Sequence, residues 1–336
     1  MITKRPTIRD VARDAGVSYQ TVSRVLNNHP KVSETTRKVV LQTIKDLGYQ
    51  RNMAAQMLTT HRSQTIQVIV LDSKFPLELH TITNNAREAG YLTVYSESTL
   101  EEFPRMLDLA AARLVDGIVL YAPQLVIDDE DLVELSHGIP LVRRDYVVDS
   151  NLTWVGFDQV RASQLLVQHL LDLGHQHIAE ITGSMNFINP QLRHQAYTSI
   201  LEAHDLEPGP CVEGDYSYVE RAMWTGYEGV RQIIHSGAKF TALIMGNDYM
   251  SIGALHALSE HGLRVPDDVS VVSFDNTPHA RYLAPPLTVV EFDFQLQDDL
   301  AFQHLRDHIE NPDAAHFQHV LMPHLIVRES TAPAAH

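Results

Sequence analysis

Five hydrogen-bonding side chains share one face of a short predicted helix: Tyr19, Gln20, Ser23, Arg24 and Asn27. None of them is acidic. Such a face suits the major groove of DNA, which admits a helix and where each base pair shows its own pattern of donors and acceptors. The opposite face carries Val22, Val25 and Leu26 at i, i+3 and i+4, the stripe that buries a helix against its neighbours.

The elements that must hold this face are readable around it. Ile8, Val11 and Ala12 mark a preceding helix, and Gly16 supplies a turn residue that tolerates positive φ. Ser18 is placed to cap the second helix, its hydroxyl accepting from an orphan N–H of the first turn. A third helix starts after Ser33, carries Val39, Val40, Ile44 and Leu47, and stops at Gly48. Residues 50–63 are short and polar, and are predicted to form a hinge with a helical core over 52–58.

Charge is divided along the chain. The 336 residues suggest two or three domains, and their formal net charge is −16. Residues 1–62 nevertheless hold 11 Lys and Arg against 4 Asp and Glu, while the remainder holds 15 against 38. A basic head on an acidic body fits a DNA-binding module joined to a domain with a different task. Cys211 is the only cysteine, so no intrachain disulfide forms and a cytoplasmic location is expected. Met1 to Pro6 does not read as a signal peptide. No apolar run approaches the ~20 residues of a membrane span, so no membrane partner is expected.

From residue 64 strands alternate with helices. Strands are predicted at 66–71, 92–95, 117–121 and from 140, then at 177–182, 242–246, 269–274 and 287–292. A helical stretch is predicted to end at Ala89-Gly90-Tyr91, and helices are predicted at about 101–114, 159–173, 190–204, 219–236 and 248–261. Apolar strands separated by helices imply parallel sheets covered on both faces. The fold class is α/β: an all-α helix-turn-helix head and a body of two doubly wound subdomains, with a ligand cleft at the strand ends. No Gly-x-Ser-x-Gly elbow, Walker loop or Gly-x-Gly-x-x-Gly turn is present, so neither an enzyme nor a cofactor is expected. The chain has 19 histidines, and Gly174-His175-Gln176-His177 invites a metal reading. That run lies at a predicted helix-to-strand turn without a cysteine or a second close pair, so no metal site is expected.

So ordered a set of motifs resembles the lactose-repressor (LacI/GalR) family of bacterial transcription regulators over essentially the whole chain. In the head the resemblance rests on residues 7–12, Ala15-Gly16-Val17-Ser18, residues 21–27, Val32-Ser33, Thr36-Arg37, Gly48-Tyr49 and Asn52. In the body it rests on Leu173-Gly174-His175, Ile178-Ala179, Arg193, Gly246-Asn247-Asp248, residues 271–275 and Pro285-Pro286-Leu287-Thr288. The resemblance implies a head over 1–49, a hinge over 50–63 and an effector-binding, dimerising body over 64–332. Within the body it implies an N-subdomain at about 64–158 and 293–322, and a C-subdomain at about 159–291 and 323–332.

The family implies a homodimer whose recognition helices read the two halves of a palindromic double-stranded DNA operator. Tyr19, Gln20 and Arg24 match base-reading positions, and Ser18 to Val25 reads as in the lactose repressor, which implies a lac-like half-site. Arg24 suits a guanine edge and Gln20 an adenine or guanine edge. Thr7, Ser18, Thr21, Ser23, Asn27, Val32 and Asn52 are implied as further DNA contacts. Leu58 matches a leucine wedged into the minor groove, and Ala55 a small residue that lets two hinge helices pack closely. Arg51, where most members have proline, and Gln56, where many have arginine, depart from the pattern.

Arg193, Asn247 and Asp275 match residues that bind sugar hydroxyls in sugar-responsive members. Asp145 matches another effector-site acid, and Phe157 and Tyr216 match aromatic positions that stack on a sugar. Phe292 stands where the lactose repressor has a polar side chain, and the loop Asp72 to Pro76 is shorter than usual, so the effector is expected to differ. No leucine heptads follow Ser330, so no helical tetramerisation tail is expected. The expectation is a repressor of carbohydrate-utilisation genes released by a sugar or glycoside. A co-repressor polarity uses the same parts. A sugar-binding protein of the periplasmic type shares the body, but the basic head argues against it.

Overall fold

The computed structural model describes residues 6–26, 29–50, 62–71, 80–215 and 217–334. They fall into two compact units, divided between Ser63 and Gln64.

The first unit is three short helices, α1 (Ile8–Asp14), α2 (Tyr19–Leu26) and α3 (Glu34–Leu47). Val11, Val22, Val25 and Val40 form its buried centre. Gly16 takes the predicted positive φ of 64°, and the Ser18 hydroxyl accepts from the Thr21 N–H at 3.1 Å. Ser33 caps α3 in the same way, and Gly48 ends it in the left-handed region.

The second unit holds two six-stranded sheets. The first half runs β1 (Thr65–Leu71), α4 (His80–Glu88), β2 (Leu92–Ser98), α5 (Phe103–Ala112), β3 (Gly117–Tyr121), α6 (Asp129–Leu135), β4 (Leu141–Arg143) and β5 (Trp154–Phe157). The second half follows with α7 (Gln159–Asp172), β6 (Ile178–Thr182), α8 (Ile188–Ala203), β7 (Cys211–Glu213), α9 (Val219–His235), β8 (Ala242–Met245), α10 (Asp248–Glu260), β9 (Ser270–Asp275) and β10 (Thr288–Glu291). The chain then returns to the first sheet through α11 (Phe294–Glu310) and β11 (Gln318–Leu321), and crosses back to end in β12 (His324–Ile326).

Strand order is β11-β5-β4-β3-β1-β2 in the first sheet and β12-β10-β9-β8-β6-β7 in the second. All pairs are parallel except β10 with β12. Both faces of each sheet are covered. The first has α4 and α11 on one side and α5 and α6 on the other; the second has α7 and α8 opposed to α9 and α10. This is the doubly wound α/β body expected from the pattern. Three connections join the two sheets: β5 to α7, β10 to α11 and β11 to β12.

Several elements fall outside the predicted cycle: α6, α11, β5, β7, β11 and β12. The strands have only 3 or 4 residues each, too few for a period to show. Helix α11 hides for another reason, since its buried face includes Gln297, Asp298, His304 and His308.

Candidate effector cavity and DNA-reading face

On α2 the side chains divide as the spacing requires. Val22 and Val25 are buried, while Tyr19, at 53% exposure, Gln20 and Arg24 stand in solvent. Thr21 and Ser23 are half-buried at the flanks. Arg37 of α3 donates from Nη2 to the His29 carbonyl at 3.1 Å and so ties α3 to the chain beyond α2. The Thr7 hydroxyl and N–H both donate to Asp10, fixing the start of α1. Val32 packs partly against the helical core. Asn27, Asn52, Ala55 and Leu58, with Arg51 and Gln56, lie outside the described residues, as do Tyr216 and the loop 72–76.

In the body, the carboxyl ends of β3, β4, β5, β8, β9 and β10 surround a cavity of about 480 Å³. It brings together six of the effector positions implied by the resemblance: Asp145, Phe157, Arg193, Asn247, Asp275 and Phe292. They are contributed by both halves of the body.

Arg193 is the centre of the second-half wall. Its Nε donates to Gln159 Oε1 at 2.8 Å and its Nη1 to the Gly246 carbonyl at 3.0 Å. Its guanidinium lies over the Phe274 ring, 4.0 Å from the centroid, and 5.3 Å from that of Phe292. No carboxylate lies within ion-pair distance of it among the described residues. Asn247 caps α10, its Oδ1 accepting from the Met250 N–H at 2.9 Å, which leaves its amide N–H groups for the cavity. Helices α9 and α10 touch closely enough that a Cβ on Gly226 would sit 1.9 Å from the Met250 carbonyl oxygen, so α10 and its cap are held firmly.

Asp275 ends β9 at a φ of 95°, followed by Asn276 at 62°. Two consecutive non-glycine residues in this region mark backbone held by its surroundings, a common trait of ligand clamps. Asn276 Nδ2 donates to Glu291 at 2.6 Å and its Oδ1 accepts from Arg328 at 2.6 Å. Thr277 donates from both its N–H and its hydroxyl to Asp248, each at 2.6 Å. Burial pushes Asp275 up to about 7 against the pull of Arg193, and Asp248 up to about 6 against its hydrogen bonds from Thr277.

The first-half wall is built differently. Asp145 is fully buried and bound to Arg143 at 2.6 Å, and Arg144 pairs with Asp298 of α11. Arg143 also donates to the Ala122 carbonyl at 2.7 Å. Burial raises Asp145 and Asp298, and their arginine partners oppose the rise. Asp145 thus borders the cavity with its carboxylate committed to Arg143. Phe157 and Phe292 are both cavity wall and core, with ring centroids 4.8 Å apart, and Phe294 stands edge-on to Phe157.

Sequence reasoning missed Tyr121, Arg144, Gln159, Asn189, Phe294 and Gln297, which also line the cavity. Asn189 Oδ1 and Gln297 Oε1 are buried acceptors without a partner among the described residues. The one local signal was the charged run Arg143-Arg144-Asp145 at the end of an apolar strand. His175 uses Nδ1 for the Thr241 hydroxyl, while Nε2 lies within hydrogen-bond distance of the Ser270 hydroxyl and the Ala332 carbonyl.

Comparison with known proteins accounts for both units. Residues 7–52 match the bacterial regulatory proteins of the lacI family, and residues 167–331 match the periplasmic binding protein-like domain. The HTH-type transcriptional repressor PurR of Haemophilus influenzae is 30% identical over 334 residues, covering 96% of this chain and 98% of that protein. The chain belongs to the LacI family of bacterial regulatory proteins. The lactose operon repressor of Escherichia coli is 32% identical to this family member over 306 residues, 87% of this chain and 82% of that one. The crystal structure of the lac repressor dimer bound to operator and the anti-inducer ONPF matches with a TM-score of 0.86 at 29% identity. That match covers 98% of this chain and all of the other. A complex of the transcriptional regulator CelR with cellobiose matches at 0.68 and 28%, covering 97% and 100%. This LacI-family protein is a DNA-binding transcriptional repressor, of a kind that responds to small-molecule effectors rather than cofactors. Among the described residues no helix is long and apolar enough to cross a membrane.

Proposed function

We propose that the protein is a cytoplasmic homodimeric repressor of carbohydrate-utilisation genes, without catalytic activity, released from a palindromic lac-like operator by a sugar or glycoside. The head over 1–49 reads the half-site through Tyr19, Gln20 and Arg24. The segment 50–63 is its hinge, and the body over 64–332 binds the effector and the second subunit. The observation that carries the sugar reading is the mixed wall of the cavity. The Arg193 fork, the Asn247 amide and the open Asp275, Asn189 and Gln297 oxygens offer donors and acceptors at several points, beside aromatic rings. A polyol matches such a set hydroxyl by hydroxyl. Two structural relatives support the class, one solved with cellobiose and one with ONPG. Effector binding shifts the population of body conformations toward those in which the dimer no longer holds both half-sites.

The test is a gel-shift titration on a palindromic lac-like operator, repeated with mono- and disaccharides, glycosides and planar heterocyclic bases. Loss of the shift with one sugar, recovered unchanged, supports the reading. A shift strengthened by the ligand reverses the polarity, and release by a heterocycle alone replaces the sugar. No shift on any palindrome overturns the proposal. Exchanging Tyr19 and Gln20 should move sequence preference while leaving salt-dependent non-specific binding nearly unchanged.

A further inference from the structure

On the outer edge of the second sheet three different metal-ligating side chains converge from three elements. Glu180 lies in the middle of β6, His194 on α8 and Cys211 at the start of the edge strand β7. His194 Nδ1 lies 2.6 Å from Glu180 Oε2, and the Cys211 sulfur lies 3.8 Å from the first and 3.9 Å from the second. All three ligand atoms fall within 4.8 Å of one another.

The placement of Glu180 is the informative part. Every residue of β6 is buried, and the strand otherwise reads Ile-Ala-Ile-Thr, the kind of run that fills a parallel sheet covered on both faces. A carboxylate there is costly unless a cation compensates it. The imidazole of His194 is the only ion-pair partner of Glu180 among the described residues, and it stands one third open to solvent. Cys211 is exposed, so the cluster has a path for an ion.

We propose that Glu180, His194 and Cys211 form a three-ligand site for a divalent transition metal, best matched by zinc, with water as the fourth ligand. A carboxylate, an imidazole and a thiolate are its customary ligands, at about 2.0–2.3 Å in a tetrahedron. Those bond lengths place ligand atoms roughly 3.3–3.6 Å apart. The two sulfur distances need to shorten by only a few tenths of an ångström, and the histidine–carboxylate contact needs to open by about 0.7 Å, both within small side-chain rotations. Binding puts the metal in place of two protons, the one on the Cys211 thiol and the one that His194 Nδ1 holds toward Glu180, and releases both to solvent. Without metal, burial and the neighbouring Glu180 carboxylate push the Cys211 thiol up to about 12, so the bare site is a poor nucleophile. The site does not depend on which effector occupies the cavity. It shares α8 with it, because His194 follows Arg193.

The test uses the full-length, untagged protein after chelation and dialysis. Cobalt is added first, because a thiolate ligand gives a strong near-ultraviolet charge-transfer band and tetrahedral coordination gives intense visible bands. Zinc is then titrated in competition with a chromophoric chelator. The expected result is one tight site per chain, a cobalt–thiolate band displaced by zinc, and loss of that band in Cys211→Ser. Zinc affinity should fall about 100-fold or more in Cys211→Ser and His194→Ala. The double variant His304→Ala/His319→Ala, at a histidine pair elsewhere, should keep it. Cys211 is exposed on an edge strand, so its serine variant tests the site without emptying the core. No thiolate band, no stoichiometric zinc binding, or zinc binding unchanged in Cys211→Ser overturns the proposal.

Discussion

The two walls of the cavity use arginine in opposite ways. On the first-half wall Arg143 and Arg144 are each matched to a buried carboxylate, Asp145 and Asp298. On the second-half wall Arg193 rests on an amide, a carbonyl and two rings, and the Asp275 carboxylate has no hydrogen-bond partner among the described residues. One wall has its charges paired, with Gln297 Oε1 and Asp298 Oδ2 its open acceptors. The other holds a cation and an acid without a direct partner, which a ligand rich in hydroxyls can satisfy. Under the function proposed above, the difference separates residues that hold the cavity in shape from residues that read its contents, although both kinds are charged and border the same cleft.

The comparison can be broken at four points. Asp298→Ala strands the Arg144 guanidinium in the interior and should lower the free energy of unfolding by about 3–5 kcal/mol, read by urea denaturation. Arg193→Ala should instead act on the ligand, raising the effector concentration for half-release of operator by about 10–100-fold. Its denaturation midpoint should move less than that of Asp298→Ala. If the two variants exchange these effects, the assignment of the walls is wrong. Asp145→Asn should weaken stability by about 1–3 kcal/mol through the Arg143 contact, with only a few-fold change in effector response. A large loss of response with intact stability would show that Asp145 reads the ligand.

The fourth point concerns pH. An unfolded aspartate titrates near 4, whereas burial raises Asp275 to about 7. Between these values Asp275 is more protonated in the folded protein than in the unfolded chain. The contribution of Asp275 is therefore fully present below about pH 4 and is lost as the pH rises through about 7. Asp275→Asn should flatten this decline, by up to about 1.4 kcal/mol per pH unit where it is steepest. A slope unchanged between pH 5 and 7 would show that the carboxyl is solvated.

How legible these features were depended on how far apart in sequence their parts lie. The head was readable because its turn, caps and stripe fall within residues 7–48, where periodicity and capping chemistry act locally. Most βα units were visible because their strands are continuous apolar runs. Helix α11 was not, since the side chains it buries include Gln297, Asp298, His304 and His308, whose partners lie on other elements. The cavity shows the same limit. Family motifs pointed to Arg193, Asn247 and Asp275, but no local pattern marks Asn189 or Gln297, which matter only through what faces them. The cluster of Glu180, His194 and Cys211 was invisible for that reason too, its members separated by 14 and 17 residues.

The three crossings between the sheets also have a mechanical meaning. They lie side by side: the Asp158 N–H donates to the Leu321 carbonyl at 3.0 Å, and the rings of Phe157, Phe292 and Phe294 pack against one another, tilted and edge-on, where two of them pass. A body tied at three neighbouring points resists sliding, and its softest motion is rotation about the line through those points. The rings beside that line also border the cavity, so under the proposed function the effector would push close to the fulcrum. A push there moves the wall little and the far edge of a half much more. Because the strands are parallel, the amino end of β1 lies at the edge remote from the cavity, on the long arm of the lever.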